Sequence, residues 1–333
     1  MSMRCIFCLK EGAPTIEHVF PDAIGGTLSI TRVCEPCNSW LGTNVDAYLT
    51  DHIGILMKRF LLRIPNRDGK TIGLDDILGL GTLADDPEQR IKLVRERRGD
   101  RITPQLLYKS QRIQSEDGKE TVRITADECQ APDLEKIIQR TLRREGLSPL
   151  SETELQAKVA ELKKQIRTLE QPCVRHDLKV DLVSYHNAML KIAYELAWLW
   201  LGDGFLDDPG AVKLRQKILE NADEQIRGAI QIGMTGPFEK MWTDEPNVFI
   251  ALGQKSEQRI VVSVRIFDVL CGLIAVSDQP ARYPDFREDR FFWCDPQTKQ
   301  TRDSSLPEEV VRIVRSMRAR GRTLSHMGLS PEP

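Results

Sequence analysis

Two Cys-x-x-Cys pairs, Cys5/Cys8 and Cys34/Cys37, bracket an adjacent Glu17-His18, and Asn38 directly follows the last cysteine. Thiolates bind Zn2+ tightly, and a two-residue spacer lets both sulfurs of a pair reach one ion. Two pairs complete a tetrahedron and leave no position for water, so the expected metal at Cys5, Cys8, Cys34 and Cys37 is structural zinc. It would staple a segment too small to bury a core of its own. The residues inside the frame suit different chemistry. The carboxylate of Glu17 and the amide oxygen of Asn38 are hard ligands matched to Mg2+ or Mn2+. A neutral imidazole at His18 takes a proton from water near neutral pH.

Taken together, Ile16-Glu17-His18-Val19-Phe20-Pro21, the Gly25-Gly26 turn and Cys34-Glu35-Pro36-Cys37-Asn38 resemble the HNH endonuclease superfamily, in the zinc-stapled form of its ββα-metal fold. The resemblance covers roughly residues 4–50, about a seventh of the chain. It implies a divalent ion on Glu17 and Asn38, His18 as general base for the attacking water, and products carrying a 5′ phosphate and a 3′ hydroxyl. The implied substrate is DNA, double-stranded. One family feature is absent: a middle residue, often Asn, that positions the histidine. Ser29-Ile30-Thr31-Arg32-Val33 holds neither Asn nor His, so that contact falls to a hydroxyl or carbonyl of Ser29 or Thr31. The competing reading is a non-catalytic, zinc-stapled nucleic-acid-binding protein in which Glu17 and His18 are incidental.

A net charge of −2 over 333 residues gives no global attraction to DNA. Within residues 1–50, Arg4, Lys10 and Arg32 are outnumbered by Glu11, Glu17, Asp22, Glu35 and Asp46. Phosphate contacts must therefore come from local patches. Arg32 is the cation nearest the site. Arg312, Arg315 and Arg318, spaced by three, share a helix face near the C-terminus. Lys136, Arg140, Arg143 and Arg144 form a second patch, on a helix after Pro132. Asp46, eight residues beyond Asn38 and so about two helical turns on, is read as solvated or capping, the alternative being that it approaches the metal or braces a zinc-side loop.

Cys129, Cys173, Cys271 and Cys294 stand singly, which fits a reducing, cytoplasmic compartment rather than a disulfide framework. The opening MSMRCIFC has no signal-peptide core. Leu182 to Leu201 is the most apolar stretch, but His186, Asn187, Lys191 and Glu195 interrupt it, so it reads as a buried helix and not a membrane span. Lys191 and Glu195, four apart, are expected to pair.

The fold class expected is α+β: an N-terminal ββα-metal module with its zinc over residues 1–62, then a larger mixed region over 63–333 with a division near 150–180. A helix is expected from Asn38 to about Leu62, closed by the Asn66-Arg67-Asp68-Gly69 turn. Strands follow at Ile91–Arg95, Leu106–Ile113 and Thr121–Thr125, with a hairpin about Asp117-Gly118. Two helices come next, one from Pro132 to Arg144 and one capped by Ser151 and Glu154. The apolar seam Leu155, Val159, Leu162, Ile166, Leu169 suits packing within its own domain or a homodimer contact. Beyond a strand at Cys173–Val183, helices are expected over Ser184–Leu201 and Ala211–Ala222. A late antiparallel sheet, from Ala229–Gly233, Val248–Leu252, Arg259–Ile266 and Val269–Val276, precedes a final helix, Pro307–Arg320. Residues after 70 loosely resemble the extra domains of bacterial HNH proteins of restriction and phage-defence type. That region is expected to bind DNA, to dimerise, or to gate the nuclease through an activating ligand or partner protein.

Overall fold

The computed structural model describes residues 2–66, 68–95, 102–114, 120–165, 169, 172–177, 184–220, 230–232, 245–287 and 289–319. Helices and sheets are mixed, and the chain divides into two compact units. The larger joins Met1–Ile72 to Val180–Pro333, and the smaller is Gly73–Lys179. Residues 63–333 are thus shared between both.

The larger unit begins with a small knuckle, β1 (Met3–Arg4) against β2 (Glu11–Gly12), followed by the hairpin β3 (Pro14–His18) and β4 (Ser29–Cys34). The connection between β3 and β4 turns at Gly25, whose φ of +96° lies in the left-handed region. Its neighbour Gly26 is obligatory for another reason: a Cβ there would sit 1.9 Å from the Phe20 carbonyl oxygen. Helix α1 (Glu35–Leu41) starts straight out of β4 with Pro36 in its first turn, where a missing N–H costs nothing. It widens into a π-turn at Gly42–Asp46 and continues as α2 (Ala47–Thr50). The single helix expected to about Leu62 is broken at His52. That residue adopts extended backbone and caps α3 (Ile53–Leu62), its Nδ1 accepting from the Gly54 N–H at 3.2 Å.

In the smaller unit, α4 (Leu74–Leu78) leads into β5 (Leu80–Leu83), β6 (Arg90–Arg95) and β7 (Ile102–Leu106). With β10 (Val174–Arg175) these form a four-stranded sheet in the order β10-β5-β6-β7. β8 (Lys109–Gln114) and β9 (Glu120–Thr125) pair as the expected hairpin, whose tip lies outside the described residues. One strand over Leu106–Ile113 was expected; two form, because the backbone leaves the sheet at Leu107-Tyr108. Helices α5 (Leu134–Arg144) and α6 (Glu152–Lys164) follow. The Ser151 hydroxyl and Glu154 carboxylate cap α6 reciprocally. Leu155 and Val159 pack on Ile138 with Leu162 alongside, so this part of the seam is used within its own unit; Ile166 lies outside the described residues and Leu169 is exposed.

The larger unit resumes with α7 (Tyr185–Leu201), stopped by Gly202 at φ +77°, and α8 (Pro209–Glu220). Six antiparallel strands come next: β11 (Ile230–Ile232), β12 (Phe249–Lys255), β13 (Ile260–Ile266), β14 (Leu270–Ser277), β15 (Arg290–Cys294) and β16 (Thr301–Ser305), ordered β11-β14-β13-β12-β15-β16. The last two were not expected. Helix α9 (Leu306–Ala319) closes the described chain.

Both faces of this sheet are covered, as period-two alternation requires. Ile250, Leu252, Phe291 and Trp293 meet Ile313 of α9. Phe249 and Ala251 face the other way, into one continuous core with α7, α8 and the N-terminal hairpin. Phe20 from the hairpin connection stacks on Phe249 and Phe292, ring centroids 5.3 and 5.6 Å apart. The N-terminal elements are therefore not a free-standing finger. Their core is completed by α7, α8 and the six-stranded sheet. Among the described residues no helix is long and apolar enough to cross a membrane.

Candidate active site

Cys5 and Cys8 lie on the β1–β2 knuckle, Cys34 ends β4, and Cys37 sits in the first turn of α1. Their four sulfurs all fall within 4.8 Å of one another, with Cys8 Sγ 3.7 Å from Cys34 Sγ. Zn–S bonds of about 2.3 Å in a tetrahedron require sulfurs about 3.8 Å apart, so the frame fits one zinc ion. Burial pushes the Cys34 and Cys37 thiols up, so an ion is what would hold them as thiolates. Among the described residues no other group of three or more Cys, His, Asp or Glu is close enough to share an ion. That includes the Cys173/His176 neighbourhood, where His176 Nδ1 contacts the carbonyls of Leu78 and Leu80 instead.

Ladder pairing sets Glu17 opposite Ile30 and His18 opposite Ser29, with an irregularity between Thr15 and Glu17 that breaks strict alternation. Glu17 is buried; His18 is half-buried, and its Nδ1 is a buried atom with no hydrogen-bond partner in the described structure. Asn38 ties α1 to β3. Its Nδ2 donates to Thr15 Oγ1 at 2.9 Å and to the Ile16 carbonyl at 2.8 Å, and Thr15 Oγ1 in turn donates to the Val33 carbonyl. With the amide nitrogen committed to β3, the oxygen is the end of Asn38 that remains for a ligand.

What the sequence reading missed is the cation behind the pair. Lys191 of α7 is fully buried, and its ammonium contacts Glu17 Oε1, Asp46 Oδ2 at 2.9 Å and the His18 carbonyl at 2.9 Å. Glu195 Oε2, the partner expected from spacing, is more distant at 3.8 Å. Asp46 is neither solvated nor a cap. Eight residues of regular α-helix would place it about 80° past two turns from Asn38. The π-turn at Gly42–Asp46 fits an extra residue into that arc and brings Asp46 round to Lys191. Burial alone would lower the Lys191 pKa, but the carboxylates in contact with it, Asp46 and Glu17, outweigh it and hold the ammonium charged. Burial also raises the three acids, Glu195 furthest. Both Glu195 oxygens and Asp46 Oδ1 are buried without a hydrogen-bond partner.

A divalent ion is compatible with this donor set when Glu17 is shared. Oε1 is bound to Lys191, which leaves Oε2 and the Asn38 oxygen as hard donors and the unpartnered His18 Nδ1 as a proton acceptor.

The basic residues are deployed unevenly. Arg32 forms a two-pronged contact with Asp203 at 3.0 Å and lies over Trp198, centroid 5.4 Å away. Arg312 is held by Glu309 and Glu245, whereas Arg315 and Arg318 on the same helix are exposed. Lys136 pairs with Asp133, while Arg140 and Arg144 lie over Tyr108.

Residues 5–54 match the HNH endonuclease family. No curated protein and no solved structure matched the chain. The chain thus carries an N-terminal HNH module built around a cysteine cluster compatible with structural zinc.

Proposed function

We propose that the HNH module makes this protein a metal-dependent endonuclease that hydrolyses phosphodiester bonds of double-stranded DNA, in bacterial restriction or phage defence. The observation that supports the reading is the Asn38 amide bridging to Thr15 and Ile16, which ties the residue after the last cysteine to the strand that carries Glu17 and His18. Glu17 and Asn38 hold Mg2+ or Mn2+. When bound, that ion supplies charge stabilisation for the scissile phosphate and the leaving 3′ oxygen. His18 accepts the proton of the attacking water, which leaves a 5′ phosphate and a 3′ hydroxyl. Zinc at Cys5, Cys8, Cys34 and Cys37 keeps β4, α1 and the knuckle in register and takes no part in chemistry. Exposed Arg315 and Arg318 supply phosphate contacts, and Arg32 and Arg312 join them by exchanging their acidic partners for DNA. The unpaired cysteines suit a cytoplasmic setting. The remaining residues serve DNA binding, self-association or gating by an activating ligand or partner.

One observation favours the alternative, a non-catalytic zinc-stapled nucleic-acid-binding protein: Glu17 is already committed to Lys191. Supercoiled plasmid separates the two. Incubated with Mg2+ or Mn2+, the wild type is expected to relax or linearise it, and EDTA to stop the reaction. His18→Ala should slow cleavage about 10²–10⁴-fold, the usual worth of a general base. Plasmid left intact but retarded equally by both proteins would sink the enzyme reading.

A further inference from the structure

The family's histidine-positioning residue is missing from β4, and the structure does not fill the gap locally. Ser29 stands across the ladder from His18, yet among the described hydrogen bonds neither Ser29 nor Thr31 reaches the histidine with its side chain. We propose that Lys191 does this work from α7, as a positioning residue that aims both the base and the acid of the HNH pair; this rests on the endonuclease reading above.

An ammonium has three protons to donate, and each finds an oxygen here. One goes to the His18 carbonyl and fixes the backbone that carries the imidazole. One goes to Glu17 Oε1, which sets the carboxylate rotamer and leaves Oε2 directed elsewhere. The third goes to Asp46 Oδ2, on the π-turn that continues from the helix bearing Asn38. One cation thus touches the strand with the base, the acid beside it and the helix with the second ligand. With all three protons used, Glu195 is left at 3.8 Å with orphaned oxygens, which accounts for its place as the odd acid of the cluster. Zero exposure at Lys191 removes the rotamer freedom that makes surface lysines poor positioning groups. An ion pair serving only to fill the core would need one acid and no main-chain carbonyl of the catalytic strand. Groups standing behind metal ligands typically change metal affinity or activity 10–100-fold when removed.

The test uses the full-length, zinc-loaded chain as Lys191→Met and Lys191→Gln. Gln retains a donor amide for the buried oxygens and is the variant to rely on where Met fails to fold. Mn2+ binding is read directly by electron paramagnetic resonance, plasmid cleavage is followed across Mn2+ concentrations, and folding is followed by thermal melting. The half-saturating Mn2+ concentration is expected to rise roughly 10–100-fold in folded variant protein, with cleavage falling in step. Folded variants with unchanged Mn2+ affinity overturn the proposal, as does a loss of cleavage that only tracks loss of folded protein. A wild type that binds Mn2+ without cutting DNA refutes the endonuclease reading alone, because the shift in Mn2+ affinity still decides what Lys191 does.

Discussion

Removing zinc should unfold far more than the knuckle it holds. Structural zinc in small modules contributes an apparent ~10–16 kcal/mol, at or above the ~5–15 kcal/mol of a whole domain. The cost here is not confined to residues near the cysteines. Ile6 and Phe7, between Cys5 and Cys8, are buried; Phe7 packs on Tyr194 of α7 at 5.2 Å, and the Tyr194 hydroxyl donates to the Ile6 carbonyl at 2.6 Å. A knuckle that merely frays and releases Phe7 forfeits about 3–5 kcal/mol of packing. For a unit of this size that amounts to roughly 6–20 °C of Tm. Full loss of the ion should leave the larger unit mostly unfolded at 25 °C. The five tryptophans, at positions 40, 198, 200, 242 and 293, all belong to that unit, so their fluorescence reports on it alone. Zinc release, followed with a chromophoric chelator, should reach one ion per chain and coincide with the fluorescence change. Stoichiometric release with a fluorescence melt moved by only a degree or two would refute the idea of a shared core.

Glu195→Gln tests the buried acid. Burial holds the Glu195 carboxyl protonated well above its ordinary range, so its contribution to stability is full below roughly pH 4.3 and is lost as pH rises through the raised folded value. The Gln variant, which cannot ionise, should melt with wild type near pH 4 and above it at pH 8; parallel curves would contradict the assignment. Ser151→Ala removes half of the α6 capping box and should cost the smaller unit about 1 kcal/mol, visible in far-ultraviolet dichroism while tryptophan fluorescence stays put. Gly26→Ala should cost about 3 kcal/mol or more, because a Cβ collides with the Phe20 backbone rather than with a movable side chain. Wild-type melting of that variant would mean the turn relaxes at no cost.

Legibility in the sequence followed distance along the chain. The cysteine frame and the α6 cap were readable because zinc ligation and helix capping impose short, fixed spacings, whereas the strand–strand–helix order came only with the family resemblance. Lys191 was visible only as a charge in an apolar helix, to be paired with Glu195 four residues on. Its stronger partners lie 145 and 173 residues away, at Asp46 and the His18 carbonyl, and no local pattern encodes contacts of that range. The π-turn was hidden too, since nothing in Gly42-Thr43-Asn44-Val45-Asp46 marks an extra residue per turn. β15 went unassigned because Phe291-Phe292-Trp293 is apolar on both faces, as a strand covered on each side must be, and shows no alternation.

The split of the larger unit around residues 73–179 has a consequence for synthesis. A ribosome extends a chain at roughly 5–20 residues per second, so Phe249 and Phe292 emerge some ten to fifty seconds after the hairpin whose Phe20 they stack on. Lys191 is likewise late. A growing chain, or one cut short by a nonsense mutation, carries every residue of the HNH motif without the partners that seat them. The HNH module is thereby kept unassembled until the strands carrying Phe249 and Phe292 have been made.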